Sequence, residues 1–165
     1  MPRLTSGLEI RDSPGMDLRL LREEDIEEVI AIWHDSRKET HTEIGIETES
    51  GVTLEDSEQI FREHIASRCE IWVVQRSRKL LGFLAIRGSY IDRMYVRPGA
   101  QRRGVGTALL EKARELSPAG LGLHTHQANH RARDFYEKRG FHPIRFGVSP
   151  PPESEPDVEY WWRPD

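Results

Sequence analysis

Residues 90–115 are YIDRMYVRPGAQRRGVGTALLEKARE, a stretch that predicts a strand, a Pro-Gly turn, a glycine-containing loop and an amphipathic helix. The predicted strand covers residues 91–96 and the helix covers residues 107–116. The first N–H groups of a helix have no partner within it and lie at the positive end of its dipole. Gly104 and Gly106 carry no side chains, so an anionic group can approach the main chain between strand and helix. The stretch therefore predicts a binding site for a phosphorylated ligand.

Two common phosphate-binding motifs are absent from this stretch. A P-loop requires a Lys-Ser or Lys-Thr pair after its glycines, and no such pair follows here. A dinucleotide-binding loop requires G-x-G-x-x-G, but residues 107–109 are Thr-Ala-Leu. The remaining pattern is Q-x-x-G-x-G from Gln101 to Gly106, with Arg102 and Arg103 between. The alternative interpretation is a tight connection in which Gly106 packs against a neighbouring strand.

A second motif lies downstream, after one more predicted strand. Residues 129–141 are NHRARDFYEKRGF, which has the form N-x-x-A-x-x-F-Y-x-x-x-G-F. The two motifs in this order resemble those of the GNAT acetyltransferase family, and the resemblance covers the chain from about Asp17 onward. It implies an acetyl-CoA-dependent N-acetyltransferase that needs no metal. Such an enzyme passes the acetyl group directly to a primary amine, without a covalent enzyme intermediate.

The resemblance also implies which residues bind the acyl donor. Backbone groups of Met94 and Val96 are expected to pair with the pantetheine amides, and either N–H is a hypothetical donor to the oxyanion. The main-chain amides of residues 102–107 are expected to hold the pyrophosphate, with the backbone more important than the two arginines. The implied cofactor-binding residues are Met94, Tyr95, Val96, Gln101, Arg102, Arg103, Gly104, Val105, Gly106, Thr107, Asn129 and Tyr136.

The catalytic residues follow partly from the resemblance and partly from position. Tyr136 occupies the family's place for the acid that faces the thioester sulfur; the alternative is a core aromatic beside Phe135. Because a tyrosine with a pKa near 10 is a weaker acid than a thiol near 8.5, a strengthening hydrogen bond is favoured over full proton transfer. Asn129 is expected to cap the following helix, or to bind the cofactor as well.

The general base has no motif of its own. A lysine-type amine has a pKa of about 10.4, so only about one in a few thousand is neutral at pH 7, and a base or a selective site is required. Asp92 is the first choice, because strict alternation places it on the same strand face as Met94 and Val96. His34, His41 and Glu43 are further candidates on the helix and loop that shape the family's acceptor pocket. A water chain to solvent is an equal alternative.

Composition limits the class of protein. The chain has 165 residues, of which 32% are charged and 36% hydrophobic, which suits a single domain. No apolar run approaches the roughly 18 residues of a membrane span. The N-terminus has no apolar signal-peptide core, and the one cysteine, Cys69, cannot form an internal disulfide, so a cytoplasmic location is expected. The net charge of −4 argues against a nucleic-acid surface.

The predicted element order is βααβββαβαββ. Helices are expected at residues 24–38, from a Thr53 cap through residue 65, at 107–116 and at 131–138, and residues 39–51 are predicted to be a loop. This order predicts an α/β (α+β) GNAT-like fold, with a mixed central sheet of about seven strands and helices on both faces. Residues 1–16 are expected to be a polar, flexible extension, and residues 17–165 the acetyltransferase domain.

The acceptor and the assembly remain open at this stage. Residues 39–58 carry seven carboxylates and no basic residue, which favours a small cationic amine over a basic protein tail; a solvated acidic surface is the alternative. His124, His126 and His130 superficially suggest a metal site, but no carboxylate or thiol set accompanies them, and none is predicted. A catalytically silent acyl-CoA-binding module is the other functional hypothesis. Monomer and homodimer are both compatible with the sequence.

Overall fold

The protein is built around one mixed sheet. The computed structural model describes residues 15–45, 52–151 and 154–165. The described residues form seven strands in the order β1-β2-β3-β4-β5-β7-β6, and the predicted element order is confirmed. The strands are β1 (Met16–Leu20), β2 (Glu70–Arg76), β3 (Lys79–Arg87), β4 (Tyr90–Val96), β5 (Leu121–His126), β6 (His142–Val148) and β7 (Pro156–Trp162). All neighbouring strands are antiparallel except β4 and β5, which are parallel.

Helices cover both faces of the sheet, as predicted. The α-helices are α1 (Ile26–Ile44), α2 (Leu54–Ile60), α3 (Val105–Leu116) and α4 (His130–Glu137), and a π-helical segment, Phe61–Ala66, extends α2. One buried cluster packs α1 and the π-helical segment against β2 and β3, around Trp33 and Phe61. The other packs α3 and α4 against the opposite face, around Leu109 and Tyr160. None of the described helices is long and apolar enough to cross a membrane.

The start of α2 confirms the predicted cap. The Thr53 hydroxyl accepts a hydrogen bond from the Asp56 amide at 3.1 Å, and the Asp56 carboxylate accepts one from the Thr53 amide at 2.9 Å. This reciprocal pair satisfies two amides that the helix itself leaves unpaired. Residues 46–51 of the predicted loop, which precede this helix, lie outside the described residues.

The prediction for the end of α1 is wrong. The helix continues to Ile44 and ends at Gly45, whose left-handed conformation (φ 79°) lets its N–H reach the carbonyls of His41 and Thr42. The loop over residues 39–51 was predicted from Gly45 and Gly51 as breakers, whereas Gly45 is the residue that ends the helix. The helix persists because His41 is buried against the sheet, where its ring meets that of His126 at 5.3 Å. A tertiary contact therefore overrides a weak local preference.

The sheet is nearly divided in the middle. Within the described chain, β4 and β5 pair at a single register position, Tyr90 with Gly122. A side chain at position 122 would lie 2.8 Å from the Trp161 ring and 3.1 Å from the Tyr90 ring, so the strands can meet there only at glycine. Beyond this point the strands separate, and a gap opens between β4 and β5. The first strand begins at Met16, one residue before the predicted domain boundary, and residues 1–14 of the predicted extension lie outside the described residues.

Candidate active site

A cavity of about 1150 Å³ occupies the gap between β4 and β5. Its walls come from the loop before α3, from α3, α4 and α1, and from β4, β5, β6 and β7. Ten of the twelve residues predicted to bind the cofactor line it. They are Met94, Tyr95, Val96, Gln101, Arg102, Gly104, Gly106, Thr107, Asn129 and Tyr136. The other two, Arg103 and Val105, lie outside its lining: Arg103 is exposed, and Val105 is buried in the core.

The edge of β4 presents backbone groups to this gap. The Ser36 hydroxyl donates to the Val96 carbonyl at 3.0 Å, which shows that this carbonyl points away from β3. The Tyr95 carbonyl faces β3 instead, since it lies 2.8 Å from the Cβ position of Gly82. In an antiparallel ladder, every second residue turns both its N–H and its C=O to the same side of the strand. The backbone of Met94, two residues before Val96, therefore also faces the gap.

The strand around Asp92 is less regular than the prediction assumed. The β3–β4 ladder shifts register between Ala85 and Ile86, so that Asp92 is an additional, bulged residue of β4. Strict alternation therefore stops at Asp92, so alternation alone does not place its side chain on the face of Met94 and Val96. The residue still lines the cavity, and its carboxylate lies 3.5 Å from the Arg93 guanidinium.

The loop before α3 leaves main-chain amides open. Its turn is held by the Gln101 side chain, which accepts a hydrogen bond from the Gly99 amide at 2.8 Å. Gly104 precedes α3 in the left-handed region (φ 83°), and among the described residues no side chain caps the helix. Helix α3 begins at Val105, two residues earlier than predicted, so its unpaired amides belong to residues 105–107. Open amides at a helix start are suited to bind an anion.

Gly106 lies beside α4 and β4 without being closely packed against them. A Cβ atom at this position would lie 3.4 Å from the Phe135 ring and 3.8 Å from a Val96 methyl group. These are ordinary van der Waals distances, so packing alone does not require glycine here.

Tyr136 lies at the junction of cavity and core. Its ring is 8% exposed, lines the cavity and makes edge contacts with Phe135 and Phe141 at 5.2 and 5.3 Å. Burial raises the pKa of the Tyr136 phenol above its ordinary value; nearby Tyr95 also raises this pKa, and Arg139 lowers it. The phenol is therefore neutral at physiological pH and suited to donate a hydrogen bond rather than to release its proton.

Asn129 forms the predicted cap of α4. Its side-chain oxygen accepts a hydrogen bond from the Ala132 amide at 3.2 Å. Because this oxygen is engaged, the NH₂ group is the part of the side chain suited to meet a ligand acceptor in the cavity.

Arg139 is a cavity residue that the sequence reasoning missed. Its guanidinium donates to the Thr107 hydroxyl at 3.1 Å and to the Phe135 carbonyl at 2.9 Å, and it stacks 3.7 Å over the Phe135 ring. It thereby connects α4 to the first turn of α3, beside the open amides. The sequence signal that could have indicated this contact is the i, i+4 spacing of Phe135 and Arg139 at the C-terminal end of α4.

The other end of the cavity is rich in titratable groups. Of the further base candidates, His41 and Glu43 line it, whereas His34 does not and instead contacts the Ser57 hydroxyl at 2.8 Å. From the predicted acidic segment, Glu39 and Glu43 line the cavity. Glu47 and Glu49 lie outside the described residues, and the carboxylates of α2 are not part of the lining.

The three histidines considered for a metal site line two hollows. His124 and His126 line the main cavity, and His126 and His130 line a smaller hollow near the end of α1. His124 lies 2.9 Å from the carboxylate of Glu159, a cavity residue on β7 that the sequence reasoning also missed.

Comparisons with known proteins agree with this architecture. The family model described as an acetyltransferase (GNAT) domain matches residues 67–143. The peptidyl-lysine N-acetyltransferase YjaB of Escherichia coli is 31% identical over 127 residues, which are 76% of this chain and 82% of YjaB. The peptidyl-lysine N-acetyltransferase YiaC of the same organism is 36% identical over 86 residues, 52% of this chain and 58% of YiaC.

Solved structures show the same fold. The solution structure of apo YjaB from Escherichia coli matches with a TM-score of 0.71 and 26% identity, over 89% of this chain and 97% of that chain. The PaiA N-acetyltransferase of Thermoplasma acidophilum, crystallised with coenzyme A, matches with a TM-score of 0.65 and 21% identity, over 90% of this chain and 99% of that chain. The chain therefore belongs to the GNAT family of acetyltransferases, and it is an acyltransferase.

Proposed function

We propose that the protein transfers the acetyl group of acetyl-CoA to a primary amine within the cavity between β4 and β5. The observation that carries this proposal is the continuous path along the cavity from the open amides of α3, past the free edge of β4, to Tyr136. This path has a phosphate site at one end and an enclosed phenol further along. The coenzyme A bound to the PaiA enzyme supports the choice of donor.

The donor is proposed to bind largely through the main chain. The amides of residues 102–107 would hold the pyrophosphate, because helix-start amides favour anions without any need for a charged side chain. Backbone groups of Met94 and Val96 would hydrogen-bond the pantetheine amides along the edge of β4. The Asn129 NH₂ group supplies one further donor from the opposite wall.

The acceptor is proposed to be the side-chain amine of a lysine in a peptide or protein. Both relatives reported above are named peptidyl-lysine N-acetyltransferases. A free small cationic amine is the second candidate, favoured by the carboxylates that line the cavity opposite the phosphate site. They are Glu39, Glu43, Asp92, Asp157 and Glu159. Either acceptor is an ammonium ion at neutral pH, which these carboxylates attract.

Acceptor choice is tested by offering acetyl-CoA with either a lysine-containing peptide or a polyamine. We expect free thiol to appear together with an acetylated product, faster with the peptide than with the polyamine at equal amine concentration. The matched control is the same peptide with norleucine in place of lysine, which should yield no acetylated side chain. Thiol release without any acetylated amine in either reaction would contradict the proposed function.

Arg139 provides a second test of the donor site. The variant Arg139→Met keeps an unbranched side chain against Phe135 but removes the charge and the hydrogen bond to Thr107. We expect coenzyme A to bind about tenfold more weakly, or ~1.4 kcal/mol, as measured by titration calorimetry. The control is Arg131→Met, which also lines the cavity but is exposed and lies 3.8 Å from Glu43. Equal affinities for the two variants would contradict a role for Arg139 at the phosphate site.

A further inference from the structure

Three side chains form a row across the last three strands of the sheet. His124 of β5 is the register partner of Glu159 of β7, which is in turn the partner of Arg145 of β6. The His124 Nε2 atom lies 2.9 Å from one Glu159 carboxylate oxygen, and Arg145 lies 3.5 Å from the same oxygen. The other oxygen accepts a hydrogen bond from the Trp161 indole at 3.1 Å. The carboxylate is therefore held from three directions.

Burial distinguishes the members of this row. The Glu159 side chain is 13% exposed, whereas the His124 side chain is 46% exposed and lines the cavity. A shielded carboxylate thus orients an imidazole that is open to the substrate. With Nε2–H directed at Glu159, Nδ1 is the nitrogen left to accept a proton. The Tyr90 ring, 5.6 Å from the His124 ring, limits rotation of the imidazole from the side of β4.

His124 also lies level with the reaction gap. Since Tyr90 pairs with Gly122 in a parallel register, His124 is two residues along β5 from the point where the strands separate. Other titratable or charged groups line the cavity around it. On the strands and on α1 they are Tyr90, Asp92, Arg93 and Tyr95 of β4, His126 of β5, Arg145 of β6, Asp157 of β7, and Arg37, Glu39, His41 and Glu43 of α1.

We propose that His124, oriented by Glu159, is the general base that deprotonates the acceptor ammonium. This inference rests on the proposed function, and it replaces Asp92 as the base. Asp92 has no comparable orienting group: it is a bulged residue whose carboxylate lies beside Arg93. His124 is the catalytic residue, and Glu159 is a positioning residue that acts through it.

The protons balance in two steps. The ammonium gives one proton to His124 Nδ1, and this proton later leaves to solvent. The neutral amine attacks the thioester carbon, forming the C–N bond, and the C–S bond breaks as the tetrahedral intermediate collapses. The second proton, lost from the nitrogen, ends on the coenzyme A thiolate, towards which the Tyr136 hydroxyl donates a hydrogen bond.

The test compares His124→Gln and Glu159→Gln with the wild type, using acetyl-CoA and the lysine peptide over a range of pH. For His124→Gln we expect kcat/KM to fall on the order of 100-fold near neutral pH, and the acidic limb of the wild-type profile to disappear. For Glu159→Gln we expect about a tenfold loss of kcat/KM on the lysine peptide, because the imidazole loses the carboxylate that orients it, and a smaller loss on a substrate whose amine is already neutral. The control is His142→Gln, an exposed histidine of β6 outside the cavity, which should match the wild type.

A second substrate separates base catalysis from structural damage. In a difluorolysine peptide, fluorines near the amine lower its basicity, so much more of it is neutral before it meets the enzyme. We expect His124→Gln to acetylate this peptide within about threefold of the wild-type rate, because the missing base is no longer needed. An equal loss on both peptides, or no loss on lysine, would overturn the role of His124. A wild type that acetylates neither peptide would instead overturn the proposed function.

Discussion

Replacing Tyr136 by phenylalanine is expected to lower kcat on the order of 100- to 1000-fold, while the affinity for coenzyme A changes by about twofold or less. The phenol lines the cavity from within the core, and its hydroxyl is the only group that the substitution removes. A group that interacts mainly with the developing thiolate contributes to the transition state and little to donor binding. The measurement is steady-state kinetics with acetyl-CoA and the lysine peptide, together with calorimetry for coenzyme A.

The raised pKa of Tyr136 favours a hydrogen bond to the leaving sulfur over complete proton transfer. A phenol with an ordinary pKa is already a weaker acid than a thiol by about 1.5 units, or ~2 kcal/mol. Because burial raises the pKa of this phenol further, complete transfer of its proton to the thiolate becomes still less favourable. A hydrogen bond to the sulfur gives stabilisation without that cost. Accordingly, the activity of the wild type should show no alkaline loss from Tyr136 below pH ~10.

The matched control for this variant is Tyr160→Phe. Tyr160 is also a buried tyrosine, but it lies outside the cavity lining and donates its hydroxyl proton to Glu137 at 2.7 Å. We expect this variant to lose some stability and to keep its kcat. If Tyr136→Phe retained the wild-type kcat, Tyr136 would be a core aromatic with no part in the chemistry.

Replacing Phe141 by alanine is expected to destabilise the folded state by about 3–5 kcal/mol. The ring is 1% exposed and packs against the rings of Tyr136 and Trp162 at centroid distances of 5.3 and 6.5 Å. Truncation leaves a cavity that these large neighbours cannot fill without moving. This loss is a large fraction of the roughly 5–15 kcal/mol that holds a typical domain together.

The control for Phe141 is another phenylalanine of the chain. Phe146 on β6 is 57% exposed, so Phe146→Ala should change the free energy of unfolding by less than about 0.5 kcal/mol. Urea titration followed by tryptophan fluorescence measures both variants. Equal midpoints for the two would contradict the placement of Phe141 in the core.

Local signals account for the parts of the structure that the sequence predicted well. The Thr53 cap, the strand at Leu121–His126 and the glycine-containing loop each depend on residues within a few positions of one another. Such patterns need no knowledge of the tertiary structure. The order of elements follows from the same signals, and with it the placement of helices on both faces of the sheet.

Several of the errors and omissions depend on residues that are far apart in the sequence. The last turn of α1 is stabilised by a contact between His41 and His126, 85 positions apart along the chain. The bulge at Asp92 is a property of the β3–β4 register, which a single strand does not reveal. His124 can pair with Glu159 only because β7 lies beside β5 as well as beside β6, its neighbour in the sequence. Each of these features lies at the end of the cavity away from the loop before α3.

The single register pair between Tyr90 and Gly122 also makes the line between β4 and β5 the mechanically weakest part of the sheet. Within the described residues, one main-chain register pair joins β1–β4 to the remaining three strands, whereas every other neighbouring pair is joined by a full ladder. Resistance to shear across this line therefore comes from side-chain packing of the helices on both faces, including α1, which contacts β4 through Ser36 and β5 through His41. A pulling force applied across the sheet would open the protein here first. A donor bound in the gap would contact both halves of the sheet. Donor binding would therefore also stabilise the protein against separation of the two halves.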